Sequence, residues 1–151
     1  MSFRLRRFRL SDLECLLEIE RASFGPGAYD RNLFAEYARA CGGLFLVAER
    51  IPPARFAGYS IACIRSSRPD IANLISIAVD PEFRGKGAAS LLLSSTIRRL
   101  KLRGVERCTL MVRQSNATAI RFYQRHGFEM LRRAPKYYDN FEDGLLMRRR
   151  L

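Results

Sequence analysis

Lysine is nearly missing from this 151-residue chain: of its 27 basic residues only Lys86, Lys101 and Lys136 are lysine, and the rest are arginine. Histidine occurs once, at His126. The four cysteines, Cys15, Cys41, Cys63 and Cys108, form no Cys-x-x-Cys pair, and with a single histidine beside them they argue against a zinc site. No metal is expected. Cys15, Cys63 and Cys108 fall inside apolar segments, which predicts reduced, mostly buried thiols in a cytoplasmic protein. No apolar run approaches about eighteen residues, so no spanning helix is expected. The stretch from Phe3 to Leu10 lacks a signal-type apolar core and nearly alternates apolar with basic residues, the pattern of a half-exposed first strand. No run of five or six basic residues and no arginine/aromatic RNA-binding motif occurs. Nucleic acid is therefore not the favoured partner, although the formal charge is +12. Such a surface can attract anionic cofactors, acidic peptides or nucleic acid, and an arginine bias is also a common compositional trait.

What is present is globular. Apolar residues make up 48% of the chain, enough for one domain of this length, spanning 1–151, with a real core. Ser11-Asp12 reads as an N-cap before Leu13, Leu16 and Leu17 at helical spacing. That helix is predicted to end near Ser23, before the break Phe24-Gly25-Pro26-Gly27. A second helix is expected over Asn32–Ala40, closed by Cys41-Gly42-Gly43. Strands are expected over Leu44–Glu49, Arg55–Arg65 and Ile71–Val79. A leucine-rich helix follows, with Ala89, Leu92, Leu93, Ile97 and Leu100 on one face, ending near Gly104. A strand over Arg107–Arg113, a short helix after Asn116 closed by His126-Gly127, and strands over Phe128–Arg133 and Leu145–Leu151 complete the order β-α-α-β-β-β-α-β-α-β-β. This is an α/β (α+β) domain on a mixed sheet.

The most informative local feature is the turn Arg84-Gly85-Lys86-Gly87-Ala88-Ala89, between a buried strand that stops at Asp80-Pro81 and the leucine-rich helix. Backbone N–H groups of a first helical turn lack intrahelical partners, and the helix dipole adds positive potential there. Gly85 and Gly87 allow close backbone approach; Arg84 and Lys86 add charge. The turn is neither a Walker A loop nor a dinucleotide fingerprint, since the Gly-x-Gly-x-x-Gly spacing fails at Ser90. It reads as a site for a phosphorylated ligand, or as a plain tight connection in a basic protein.

Over nearly its whole length the chain resembles the GCN5-related N-acetyltransferase (GNAT) superfamily. Arg84, Gly87 and Ala89 match its Arg/Gln-x-x-Gly-x-Gly/Ala motif, preceded by Ile77-Ala78-Val79-Asp80-Pro81. Val112-Arg113-x-Ser115-Asn116-x-x-Ala119 leads into Phe122-Tyr123-x-x-x-x-Gly127-Phe128, and Tyr137-Tyr138 precedes Glu142 to Met147. These blocks are similar to the branch containing ribosomal-protein N-terminal alanine acetyltransferases. The resemblance implies a mostly antiparallel sheet with helices on both faces and acetyl-CoA as cofactor. It implies that the backbones of Ile77, Ala78 and Val79 hold the pantetheine arm like an added strand. The amides from Gly85 through Lys86, Gly87, Ala88 and Ala89 to Ser90 would wrap the pyrophosphate. Asn116 would hold the arm through its amide, though it also reads as a helix cap.

Tyr123 is the residue assigned to chemistry by this resemblance. Acetyl transfer to an amine releases a thiolate, and a phenol within reach can protonate that sulfur; Tyr123 also reads as a core tyrosine. The sequence departs from the branch at Met111, which stands where the N-terminal alanine enzymes have a glutamate and cannot take a proton. The sequence identifies no base in its place; a water chain to a backbone carbonyl and one to Glu142 are the two routes open for the proton. His126 reads as a C-cap, and Cys63 and Cys108 as core. Phe24, Tyr29, Tyr137 and Tyr138 are expected to flank the acceptor groove, aromatics being suited to peptide contact. The expected partner is a peptide or protein amine, the resemblance pointing to a ribosomal one, met by a monomer or homodimer with no membrane association. A small-molecule amine, or a domain that binds acetyl-CoA or RNA without transfer, are the alternatives.

Overall fold

The computed structural model describes residues 2–25 and 29–151; the predicted break at Pro26 and Gly27 lies outside them. The elements are β1 (Ser2–Arg7), α1 (Leu13–Phe24), α2 (Arg31–Cys41), β2 (Phe45–Ile51), β3 (Arg55–Ile64), β4 (Ile71–Val79), α3 (Ala88–Leu102), β5 (Arg107–Arg113), α4 (Ala117–Arg125), β6 (Glu129–Ala134) and β7 (Gly144–Arg150). This is the expected order, with ends shifted by up to three residues, the most at β1, which stops at Arg7. The strands form one seven-stranded sheet, β1-β2-β3-β4-β5-β7-β6. Every neighbouring pair is antiparallel except β4–β5.

Helices cover both faces. On one, Leu13, Leu16 and Leu17 of α1 and Phe34 of α2 pack against Phe45, Tyr59 and Ile61. On the other, Leu93, Ile97 and Leu100 of α3 meet Leu74, Leu110, Val112 and Met147, with Ile120, Phe122 and Tyr123 of α4 packed at the margin. The predicted α3 face holds at Leu92, Leu93, Ile97 and Leu100, all buried, whereas Ala89 is half-buried against Val79 and Phe83.

Two expectations are corrected. Asp12 does not cap α1, which begins after a 3-10 turn over Leu10–Asp12. Its carboxylate instead takes two hydrogen bonds from the Arg6 guanidinium, at 2.8 and 2.7 Å, and one from the Arg9 amide at 2.8 Å. Burial alone would raise its pKa, but these donors hold it below the ordinary carboxylate value. The pair ties the start of α1 to β1. The cysteines are not all reduced thiols: Cys41, ending α2, is joined by a disulfide to Cys63 of β3, with their Cα atoms 4.7 Å apart. Only the packing of α2 on β3 brings these residues together across 22 positions. Cys15 is exposed rather than buried, and Cys108 is the buried thiol.

Candidate active site

A parallel strand pair that stops pairing early opens the site. β4 and β5 pair only at Ile71↔Arg107, Ala72↔Cys108 and Asn73↔Thr109, yet both strands run on, to Val79 and Arg113. A bulge at Ile75, between the pairs Leu74↔Ala62 and Ser76↔Ile61, bends β4 where the two part. Ile77, Ala78 and Val79 remain paired to β3, at Ser60, Tyr59 and Gly58. Their other edge faces the opening, a template for any extended chain that needs main-chain hydrogen bonds. Gly58 makes this tight pairing possible: a Cβ there would lie 2.7 Å from the Ala78 carbonyl oxygen and 3.2 Å from Val79 Cα.

At the end of β4 the chain makes a short 3-10 turn, Pro81–Phe83, whose Asp80 carboxylate accepts from the Glu82 amide. Gly85 and Gly87 then take positive φ, 75° and 92°, where a side chain would strain the backbone. Open space lies where a Cβ would be at either position. Gly87 is the N-cap of α3 and offers no side chain to its first turn, so those amides stay available to an anion. Lys86 is exposed here. The Arg84 side chain braces the turn: its Nε donates to the Val79 carbonyl at 3.1 Å and its Nη2 to Ser23 Oγ at 3.1 Å.

α4 closes the opposite side. Asn116 caps it, its Oδ1 accepting from the Ala119 amide at 3.1 Å, which leaves the side-chain NH2 as a donor. The Tyr123 ring packs between Phe122 and Phe128, with centroids 5.4 and 5.8 Å away. Its hydroxyl bonds no described residue and is not sealed from solvent. Burial, with smaller contributions from Cys108 and Tyr138, pushes its pKa up to about 12, so it keeps its proton at neutral pH. Burial likewise pushes the Cys108 thiol up to about 12, making it a poor nucleophile. His126 does serve as the C-cap of α4, but also contacts Ser90 of α3, Nε2 to Oγ at 3.1 Å. Burial and the nearby Arg125 and Arg149 hold its pKa below the usual imidazole value.

The residues expected to flank an acceptor are aromatic. Tyr137 and Tyr138 pack edge to face at 5.0 Å, and Arg113 lies 4.0 Å over the Tyr138 ring. Tyr29 packs edge-on to Phe34 and Tyr37. Its phenol is pushed up to about 12, mainly by burial, with Tyr37, Glu20, Tyr137 and Tyr138 adding to it. Burial is also the leading cause that pushes Tyr138 up to about 12. Tyr137 and Tyr138 thus form one aromatic pair and Tyr29 packs with Phe34 and Tyr37, the two groups influencing each other electrostatically. Phe24 is 42% exposed at the end of α1 and pairs with none of these rings among the described residues. Met111 and Tyr137 both close over Gly144: a Cβ on that glycine would sit 2.8 Å from Met111 Sδ and 3.2 Å from Tyr137 Cβ. Glu142 is not a free relay. It is held below its ordinary value by hydrogen bonds from Ser115 and from Arg113.

One carboxylate went unnoticed in the sequence. Glu20, 1% exposed, accepts from the Tyr59 hydroxyl and from the Tyr29 amide at 2.8 Å, and Tyr59 in turn reaches Ser76 of β4 at 3.3 Å. Burial raises its pKa against these bonds. The signal was available: Glu20 continues the Leu13, Leu16, Leu17 stripe, so a helical reading puts a carboxylate on the apolar face. It anchors the loop carrying Tyr29 to the strand that lines the cleft.

A splayed parallel pair beside an uncapped glycine-rich helix start sets an open strand edge next to an anion site. Residues 12–128 match the acetyltransferase (GNAT) family model. The N-alpha-acetyltransferase of Saccharolobus solfataricus is 32% identical over 99% of this chain and 93% of its own length. The ribosomal protein bS18-alanine N-acetyltransferase of Salmonella typhimurium is 31% identical over 91% of this chain and 90% of its own. The crystal structure of Ard1 from Thermoplasma volcanium superposes with a TM-score of 0.92 at 25% identity, covering 100% of this chain and 99% of that one. The chain belongs to the GNAT family, has its fold and is an N-acetyltransferase that uses acetyl-CoA. The open β4 edge and the uncapped, unobstructed glycine turn fit that cofactor.

Proposed function

We propose that the chain acetylates the α-amine of a polypeptide N-terminus. The observation that carries this reading is the Tyr137–Tyr138 pair, with Tyr137 beside Met111 at Gly144 and Tyr29 near enough to feel both phenols electrostatically. Such a wall suits a peptide backbone, with ring area and hydroxyls to bond it. The relatives active on protein N-termini support the same reading.

Acetyl-CoA supplies an activated acetyl thioester. Ile77, Ala78 and Val79 would offer unpaired backbone groups to its arm, and the Asn116 amide would donate to it. The amides from Gly85 to Ser90, with Lys86, would hold the pyrophosphate; Arg84 would keep their turn in shape. Tyr123, protonated throughout the physiological range, would give its proton to the departing sulfur. Tyr29, Tyr137 and Tyr138 would orient the acceptor and limit its access to water. Met111 takes no proton, and Glu142 is engaged. The acceptor therefore reacts from its own neutral fraction, about a tenth at pH 7 for an α-amine of pKa about 8. A lysine side chain, with pKa about 10.4, would present far less, which favours N-termini.

The test is CoA release on short peptides with free or blocked N-termini. Turnover on free N-termini, with none on blocked lysine-containing peptides, is the expected result; the reverse pattern overturns the reading. Met111 also favours a second reading, a domain that binds acetyl-CoA without transfer. Turnover that disappears in Tyr123→Phe would eliminate it.

A further inference from the structure

Past the acceptor aromatics, the face of the sheet shared by Met111 carries a groove of about 280 Å3 that the proposed chemistry does not use. Four arginines wall it: Arg65 at the end of β3, Arg107 of β5, Arg132 of β6 and Arg148 of β7. Ile71 and Leu146 contribute to an apolar floor. All lining residues come from strands or their ends, so the groove lies on sheet that no helix covers there. The arginines differ. Arg65 bonds Asn73 at 3.3 and 3.2 Å, and Arg107 pairs with Asp70 at 3.3 Å. None of the ion pairs among the described residues involves Arg132 or Arg148.

The groove runs straight on from the acceptor site. Alternate residues of a strand share a face, so Arg107, Thr109, Met111 and Arg113 form one row. Across β7, Met111 pairs with Leu146 and Thr109 with Arg148. From Met111, beneath Tyr137, to Arg107 is four residues of strand, about 13 Å. An extended acceptor covers that span in about four residues.

The geometry points to a binding site for an acidic segment of the acceptor polypeptide, about four to seven residues behind the acetylated N-terminus. This deepens the N-terminal acetyltransferase reading and rests on it. Carboxylates meet guanidinium groups in well-matched pairs, and the floor takes the apolar side chains between them. A second copy of this chain is the wrong occupant, because its own charge is +12. Single-stranded nucleic acid fits less well, because no aromatic residue lines the groove to stack a base.

The experiment uses short free-N-terminus peptides identical at their first three positions, with glutamate, serine or lysine at the next four. The glutamate peptide is expected to exceed the serine peptide about tenfold in kcat/KM at low salt, chiefly through KM, with lysine poorest. The preference should shrink toward unity at about 0.5 M salt. The double variant Arg132→Glu/Arg148→Glu should abolish it while leaving kcat on the serine peptide unchanged. Equal rates for glutamate and serine peptides, or a preference that survives the charge reversal, would overturn the inference. Fluorescence anisotropy of a blocked, labelled glutamate peptide reads the groove without turnover. Binding lost on charge reversal supports the site even if no peptide is acetylated, an outcome that would sink the transfer reading instead. Tighter binding of a single-stranded RNA oligomer through Arg132 and Arg148 would also overturn it.

Discussion

Replacing Tyr123 by phenylalanine removes one oxygen and little else. The ring keeps its packing between Phe122 and Phe128. The hydroxyl bonds no described residue, so its loss orphans no partner. Stability should therefore change by less than about 0.5 kcal/mol, and Tm by no more than about 2 °C in a chain of this length. Activity should respond differently. A positioned general acid contributes typically 10²–10⁴ in rate; a loss of about 100- to 1,000-fold in kcat corresponds to about 2.7 to 4 kcal/mol of barrier. The KM for acetyl-CoA should hardly move if the proposed acid role is right, because a proton given to the leaving sulfur lowers the barrier to transfer and not the cost of binding. The pH profile adds a second check. With the phenol at about 12, the acid stays protonated and kcat should show no falling limb below about pH 10. The rising limb should belong to the acceptor α-amine, near pH 8. CoA-thiol release between about pH 6 and 10, with calorimetry for Tm, measures all of this. A kcat loss under about fivefold with Tm intact would refute the acid assignment. A large loss accompanied by a collapse in Tm would mean that the hydroxyl is structural.

Other perturbations have equally definite outcomes. Gly87→Val places a β-branched side chain at φ 92° in the anion turn. Acetyl-CoA binding by calorimetry should weaken more than about tenfold, and retained affinity would remove the turn from the cofactor site. Gly58→Ala drives a Cβ to 2.7 Å from the Ala78 carbonyl oxygen. Overpacking of this kind costs about 1 to 3 kcal/mol, a Tm fall of several degrees that thermal denaturation would detect. Asp12→Asn keeps the shape but loses the charge held by Arg6 and should cost about 1.5 to 3 kcal/mol at neutral pH. Because the folded pKa of Asp12 is depressed, this contribution is full above its unfolded value of about 3.9. It disappears as pH falls through the folded value, so wild type and variant should converge in acid. Met111→Glu should raise kcat/KM several-fold near pH 6.5, where an α-amine is mostly protonated, and have little effect near pH 9; an equal effect at both would exclude a base role for that position.

Much of the fold and part of the site were legible in the chain alone, because they follow from local rules. Periodicity and breakers located the strands and helices, and the two glycines flanking Lys86 marked the turn before α3. The packed pair Tyr137-Tyr138 is adjacent in sequence and needs no fold to unite it. Other features depended on how the elements pack. Asp12 reads as a cap because aspartate before an apolar run usually is one; the antiparallel placement of β1 beside β2 puts Arg6 within its reach instead. Glu20 falls on the apolar stripe of α1 by spacing, but its partners, Tyr59 and the Tyr29 amide, are set only when α1 docks on the sheet. Cys41 and Cys63 carry no motif, and only the seating of α2 on β3 joins them.

The sequence by itself determined the order of elements, the family and the residue types available for chemistry, since these depend on neighbours within a few positions. Tertiary structure decided where β4 and β5 part, that Arg84 braces rather than extends, that Glu142 is engaged, and that arginines from four strands surround one groove. These follow from strand register and helix docking, which bring side chains from distant segments to the same few ångströms and so set their partners, burial and charge.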